Sequence, residues 1–307
     1  MAEIVSQFNS GTITREQYWI AMKDFHSVLQ QYQAHLVGSE LSSIEILAEE
    51  LNVVTKNGLK FVWRPDDLRS APNILVAYGE LDPAESKFLL AAANGCRVIF
   101  DVGANVGYYA AQFSKRMAED GIVYAFEPVP ETYQTLIKNV ELNCLKQKIK
   151  TFQLGLGQAP DQAKIFLPGF SGSAAASLMN LHPEEDSREV TVKIETLDNL
   201  FSQSGLDRLD LIKMDIEGAE LMALKGGLKT IEKHKPVLFI ELLRKWSKPF
   251  GYHPNEVIAL LSGLGYQCWT FDNDRMMPFQ SMDENTAQTN FMFIQPQRHQ
   301  APNTLVK

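Results

Sequence analysis

A chain of 307 residues, 45% hydrophobic and 21% charged, has the composition of a globular protein with room for one large domain or one domain plus an extension. Its net charge of −8, without a Lys/Arg cluster, argues against a nucleic-acid partner, and no apolar run approaches the roughly 20 residues that span a bilayer. Three widely spaced cysteines (Cys96, Cys144, Cys268) fit buried thiols in a reducing compartment rather than structural zinc, so no metal ligands are assigned and the cytoplasm is the expected location.

The first residues, Met-Ala-Glu-Ile-Val-Ser-Gln, lack a basic segment followed by an apolar one, and no signal peptide is expected. Residues 1–54 read as a helical N-terminal extension. Thr14 and Gln17 form a capping box, and Tyr18, Met22, Phe25 and Leu29 follow on one face. Leu41, Ile44, Leu47 and Leu51 mark a second helix. This extension is expected to pack on the main domain, with a lid or a homodimer contact as the sharper alternatives.

Asn57-Gly58 lies between two β-rich runs, a strong hairpin signal. Asp82 then reads as the N-cap of a helix with Pro83 in its first position. From Val98 the pattern alternates. Strands are predicted at Val98–Asp101, Ile122–Glu127, Ile149–Leu154, Leu209–Asp215, Pro236–Glu241, Gln267–Phe271 and Phe291–Gln295, with short extra ones at Lys164–Leu167 and Glu189–Ile194. Helices are predicted at Val106–Met117, Glu131–Asn143, Gly218–Gly226 with an extension towards His234, and Asn255–Leu264. Such alternation implies parallel strands with helical crossovers. The last two strands are joined without a helix, so they should pair antiparallel. The main domain runs over 55–296, and 297–307 reads as a flexible tail.

Four acidic strand ends carry the chemistry. In Asp101-x-Gly103-x-Asn105-x-Gly107 a buried strand feeds a glycine turn and a helix, a place for a small polar, nucleotide-like ligand. Phe126-Glu127-Pro128 follows about 20 residues on, where a carboxylate can accept hydrogen bonds from both ribose hydroxyls. The glycine spacing is not Gly-x-Gly-x-x-Gly, and a carboxylate beside a pyrophosphate would repel it. An ammonium group suits it better, which favours S-adenosylmethionine (SAM) over a dinucleotide. In Lys213-Met-Asp215-Ile-Glu217-Gly218 two carboxylates emerge where open α/β sheets bind ligands, and Glu241 ends the next strand. An ion pair of Lys213 with Glu241 is the structural alternative to a role in deprotonating or orienting a hydroxyl.

Taken in order, Asp101-Val-Gly-Ala-Asn-Val-Gly107, Phe126-Glu-Pro128, Thr196-Leu-Asp198, Lys213-Met-Asp-Ile-Glu-Gly-Ala-Glu220, Leu224-Lys-Gly226 and Ile240-Glu241 resemble the FkbM-type SAM-dependent methyltransferases, over about residues 55–295. The resemblance implies an α/β class I methyltransferase fold, Rossmann-like, with a seven-stranded mostly parallel sheet and an antiparallel last strand pair. It implies O-methylation of a small-molecule or carbohydrate hydroxyl, as in secondary metabolism. By that resemblance Asp101, Gly103, Asn105 and Gly107 border the amino-acid end of SAM, Glu127 holds the ribose and Gln153 borders the adenine, with Ala104, Tyr108, Pro128 and Asp215 as further donor contacts.

Methyl transfer to an alcohol needs positioning and removal of a proton. Asp215 and Glu217 are the first candidates for that work, then Glu241, with Lys213 beside them. His182 and His253 sit in loops able to cover the site. The loop Pro168–Ser177 and the aromatics Trp246, Phe250 and Tyr252 are candidates for the acceptor pocket. A nicotinamide-dependent oxidoreductase and a non-catalytic SAM-binding module are the competing readings.

Overall fold

The computed structural model describes residues 1–169, 176–179, 186–272 and 275–299. In chain order it holds helices α1 (Ala2–Asn9) and α2 (Arg15–Leu36), strands β1 (Leu41–Ile46), β2 (Leu51–Thr55) and β3 (Lys60–Trp63), and helices α3 (Ala71–Tyr78) and α4 (Pro83–Ala92). An alternating section follows, with β4 (Val98–Val102), α5 (Tyr108–Ser114), β5 (Ile122–Phe126), α6 (Pro130–Leu142) and β6 (Ile149–Phe152). Then come β7 (Gly155–Leu156), β8 (Asp161–Pro168), β9 (Ser187–Glu195), α7 (Leu197–Ser204), β10 (Leu211–Met214), α8 (Glu220–Lys225), α9 (Leu228–His234) and β11 (Val237–Glu241). The last section is α10 (Arg244–Ser247), α11 (Pro254–Gly263), β12 (Gln267–Asp272), β13 (Arg275–Phe279) and β14 (Asn290–Ile294).

The main sheet has the order β13-β12-β14-β11-β10-β4-β5-β6. β6, β5, β4, β10 and β11 are parallel, whereas β14 is antiparallel to β11 and to β12. The antiparallel closing pair is as predicted, but the sheet has eight strands rather than seven. β13, which pairs with Phe271 and Asp272 through Met276 and Arg275, was hidden in a polar stretch broken by Pro278. The central strands β4 and β10 are buried along their whole length. This explains why they read as unbroken apolar runs. One core layer packs Phe100, Ile212, Leu238 and Leu224, and the other packs Ile99, Phe113, Leu211 and Phe239.

The extension departs from expectation. Thr14 and Gln17 do form the capping box, with Gln17 N–H donating to Thr14 Oγ1 at 3.2 Å and Thr14 N–H to Gln17 Oε1 at 2.8 Å. Residues 41–51 are not a helix. They form β1 and the start of β2, because Leu51–Thr55 would otherwise leave one strand edge bare, and Ile44 and Ile46 suit that edge. The boundary expected at residue 54 therefore falls inside a three-stranded sheet. That sheet is pinned to α6: Val62 N–H donates to Asn139 Oδ1 and Lys60 N–H to Asn143 Oδ1, both at 2.8 Å. On α2 the predicted stripe is only partly covered, Met22 being buried while Phe25 and Leu29 are exposed.

At the other end, Arg298 reaches Asp210 at 3.9 Å, and His299 Nδ1 accepts the Gln295 N–H at 3.1 Å. Residues 297–299 are thus tied to the domain, and the remainder of the expected tail lies outside the described residues. Among the described residues no helix is long and apolar enough to cross a membrane.

Candidate active site

The chain runs β4, β5, β6 towards one edge of the sheet, then returns to β10 and β11 on the other side of β4. The reversal lies between β4 and β10, and ligands of open α/β sheets bind beyond the carboxyl ends of the strands at such a point. A cavity of about 420 Å³ opens there, within the range of small-molecule sites. Gly103, Ala104, Asn105 and Tyr108 form part of its floor. Gly103 has φ +76°, and a Cβ on it would overlap the Asp215 carbonyl, so glycine is what lets the turn after β4 lie against the loop after β10. Gly107, φ +84°, shapes the same turn but is not on the cavity wall.

Asp101 is placed differently from the sequence expectation. It is fully buried and does not line the cavity; it stands beneath the floor, opposite Lys213 in the register of β4 and β10. Lys213 Nζ lies 3.8 Å from Asp101 Oδ1, 3.3 Å from Asp215 Oδ2 and 3.2 Å from the Gly103 carbonyl. The ion pair expected with Glu241 is thus made with Asp101 and Asp215. Burial raises the Asp101 pKa to about 6 against the opposing pull of Lys213. Burial alone would lower the Lys213 pKa, but Asp215 and Asp101 more than offset it, so Lys213 remains a cation. Its ammonium also stands 5.4 Å from the centroid of the Tyr109 ring.

Glu127 does reach the cavity, together with Pro128. Its two oxygens accept the Asn105 N–H at 3.0 Å and the Val129 N–H at 2.9 Å, which orients the carboxylate while leaving lone pairs for hydroxyl donors. Burial raises its pKa to about 7. Gln153 is exposed and off the wall; the apolar side chains of Leu154, Leu156, Ile165 and Ile194 form that end instead.

At the opposite end, Asp215, Glu217 and Glu241 each place a carboxylate oxygen so that all three lie within 4.8 Å of one another. Glu217 has a left-handed backbone, φ +52°, and burial raises its pKa to about 8, with Asp215 the next cause. Glu241 is raised well above the ordinary value, by burial first and then by Asp215. Asp82 shares this end. It has no capping hydrogen bond and a left-handed backbone, φ +42°, and its pKa is raised by burial and then by Asp215. Its sequence context, with Pro83 next, is that of a helix cap, and no local signal tells the two roles apart.

Glu220 was also missed. It is buried, and its Oε1 accepts the N–H groups of Ile216 and Gly218, both at 3.1 Å. The Tyr252 hydroxyl is shared between Glu220 Oε2, at 3.1 Å, and the Gly218 carbonyl, at 2.9 Å. Tyr252 therefore braces the carboxylate loop instead of lining the cavity, and Phe250 packs behind it, while Trp246 does line the wall. Gly218, φ +102°, has room only for hydrogen, since a Cβ would overlap the Trp246 carbonyl and the Phe250 ring. Tyr252→Phe should lower stability by about 1 kcal/mol, read as a reduced melting temperature; an unchanged value would show that the backbone N–H groups alone hold Glu220.

His253 is away from the cavity and caps α11, its Nδ1 accepting the Asn255 N–H at 3.2 Å. His182 and residues 170–175 of the glycine-rich loop lie outside the described residues, while Ala176 and Ser177 border the cavity.

Residues 101–268 match the profile described as Methyltransferase FkbM domain, more than half of the chain. The chain belongs to the FkbM methyltransferase family. Among its relatives is Methyltransferase sdnD of Sordaria araneosa, 28% identical over 199 residues that cover 55% of this chain and 73% of that one. Hexuronic acid methyltransferase AglP of Haloferax volcanii is 26% identical over 208 residues, 68% and 74% of the two chains. The 2-O-methyltransferase NoeI of Sinorhizobium fredii is 25% identical over 150 residues, 44% of this chain and 59% of that one.

This FkbM methyltransferase is an enzyme with the class I α/β fold, and its methyl donor is S-adenosyl-L-methionine. The oxidoreductase and non-catalytic readings are thereby set aside. The residues present fit the donor. The oriented Glu127 carboxylate offers acceptors to paired hydroxyls, the Leu154–Leu156 end offers an apolar slot to a flat ring, and the acidic end offers attraction to a cation.

Proposed function

We propose that this enzyme is an O-methyltransferase that acts on a hydroxyl of a small molecule or sugar, such as a natural product, a polyketide or a glycan. The observation that carries this reading is the convergence of Asp215, Glu217 and Glu241 at one end of the cavity. An alcohol must lose its proton on becoming an ether, and a carboxylate at hydrogen-bond distance can take it. The names of two relatives, a hexuronic acid methyltransferase and a 2-O-methyltransferase, agree with a carbohydrate acceptor.

S-adenosyl-L-methionine, when bound, would supply an activated methyl group with a neutral thioether as the leaving group. Asp215 is the proposed base, taking the hydroxyl proton as the oxygen forms its bond to the methyl carbon. Its side chain is 40% exposed, so the proton can pass on to water. Lys213 fixes the Asp215 carboxylate from behind, and Glu217 and Glu241 orient the acceptor hydroxyl. Trp246 and the Ser177 segment wall the acceptor end. Asn105, Tyr108 and Glu127 are the proposed donor contacts, and the positioning they give accounts for much of the rate.

The test uses isotope-labelled methyl donor with a panel of uronic acids, neutral sugars and hydroxylated metabolites, read by NMR. A labelled methoxy signal is expected; a labelled N-methyl, S-methyl or C-methyl product alone would overturn the hydroxyl assignment. Glu127→Ala should weaken donor binding about 10- to 100-fold in calorimetry, the worth of a charge-assisted hydrogen bond. For the unsubstituted enzyme, affinity should fall as pH drops below about 7, because the acceptor form of Glu127 is the ionised one. Equal affinity for the variant and the parent would remove Glu127 from the ribose.

A further inference from the structure

We infer that Asp215, Glu217 and Glu241 together bind one hard divalent cation at the acceptor end of the cavity. The site concerns the same residues as the proposed function, but cation binding does not depend on the acceptor being a hydroxyl.

The first observation is geometric. Three carboxylate oxygens from two neighbouring strand ends lie within 4.8 Å of one another. Calcium–oxygen distances of about 2.3–2.6 Å put two ligands on opposite sides of the ion about 4.6–5.2 Å apart, and magnesium draws them in to about 4 Å. The spread therefore admits a calcium-sized ion as it stands, and a magnesium- or manganese-sized ion after a small closure. An all-oxygen, carboxylate set suits such hard ions.

The second observation is independent of the clustering. Glu217 Oε2 is shielded from solvent and has no hydrogen-bond partner. Among the described residues neither Glu217 nor Glu241 makes an ion pair. The Lys213 ammonium is already shared by Asp101 and Asp215. Lys245, on the same wall, stands 3.9 Å from the Trp246 ring centroid. Arg69 and Lys245 act on Glu217 only from beyond ion-pair distance, so its shielded oxygen lacks a paired positive partner, and burying an unpaired charge is costly. A divalent ion supplies one.

Ligation is divided sensibly. Glu220 and Tyr252 hold the loop that carries Asp215 and Glu217, and β11 carries Glu241, so the ligands stand on braced backbone. With one oxygen from each of three residues, further coordination positions remain open towards the cavity. There an acceptor oxygen can replace a water and have its pKa lowered by the ion.

The test begins with the full chain freed of metal by chelator and dialysis. Mn2+ is titrated in and followed by electron paramagnetic resonance; Ca2+ and Mg2+ are followed by calorimetry. One Mn2+ per chain is expected, displaced by Ca2+ or Mg2+. Glu217→Gln and Glu241→Gln should each weaken binding by about 100-fold, with circular dichroism of both variants unchanged. Absence of stoichiometric Mn2+ on the parent, or equal affinity in both folded variants, would overturn the site. Undiminished methyl-ether formation in excess EDTA would also overturn it and leave O-methylation standing. Stoichiometric Mn2+ with an N-methyl product would instead support the site and remove the hydroxyl reading.

Discussion

Asp215→Asn should reduce turnover by roughly 100- to 10,000-fold, the range for loss of a positioned proton acceptor, while the protein remains folded. The amide keeps the shape of the side chain but is not a base. It also removes one of the two charges that hold Lys213, leaving Asp101 at 3.8 Å as the partner. Since Asp215 is proposed to act on the reacting hydroxyl, kcat should carry the loss and the donor affinity should change little. Near-normal kcat would exclude Asp215 as the base and shift the role to Glu217 or Glu241.

The largest loss of stability is expected from Lys213→Met, at about 3–5 kcal/mol, the cost of removing one partner of a buried ion pair. Asp101 would then be a fully buried carboxylate facing no cation. The pH dependence has a definite sign. With Lys213 present Asp101 titrates at about 6, above its ordinary value, so its ionisation opposes folding as pH rises through that range. Without Lys213 it titrates higher still. The deficit of the variant should therefore be small at pH 5 and widen as pH rises above about 6. Denaturant melts at pH 5 and pH 8 measure this, and the double variant Asp101→Asn, Lys213→Met should recover much of the loss at pH 8. A deficit independent of pH, unrecovered by the double variant, would mean that the pair is not the source.

The parts of this site that could be read from sequence are those encoded locally. β4 and β10 are buried on both faces and so appear as short apolar runs, and the acidic residues that end β5, β10 and β11 follow directly. The glycine turn is visible because Gly103 must adopt a positive φ where a Cβ has no space. What escaped is long-range. Which carboxylate meets Lys213 depends on the alignment of β10 beside β4, residues more than a hundred positions apart. Glu220 and Tyr252 meet only because the segment before α11 returns to the loop after β10, and nothing near either residue announces the other. Residues 41–46 failed for a related reason, since the edge of β2, and not their own spacing, decides their conformation. Asp82 carried a correct cue, the start of a helix, that concealed its place on the cavity wall.

The fit of Gly218 beneath Trp246 and Phe250 has a consequence for how such an enzyme changes over time. The segment after β11, which walls the acceptor end, is seated directly on the backbone that presents Asp215 and Glu217. Insertions or altered curvature between residues 243 and 250 would be transmitted straight into the carboxylates. New acceptor preferences are therefore reached most readily by exchanging side chains on this wall, or on the segment 176–178 that borders the same end. Diversity in acceptors should accumulate in those side chains, while the seat on Gly218 stays fixed.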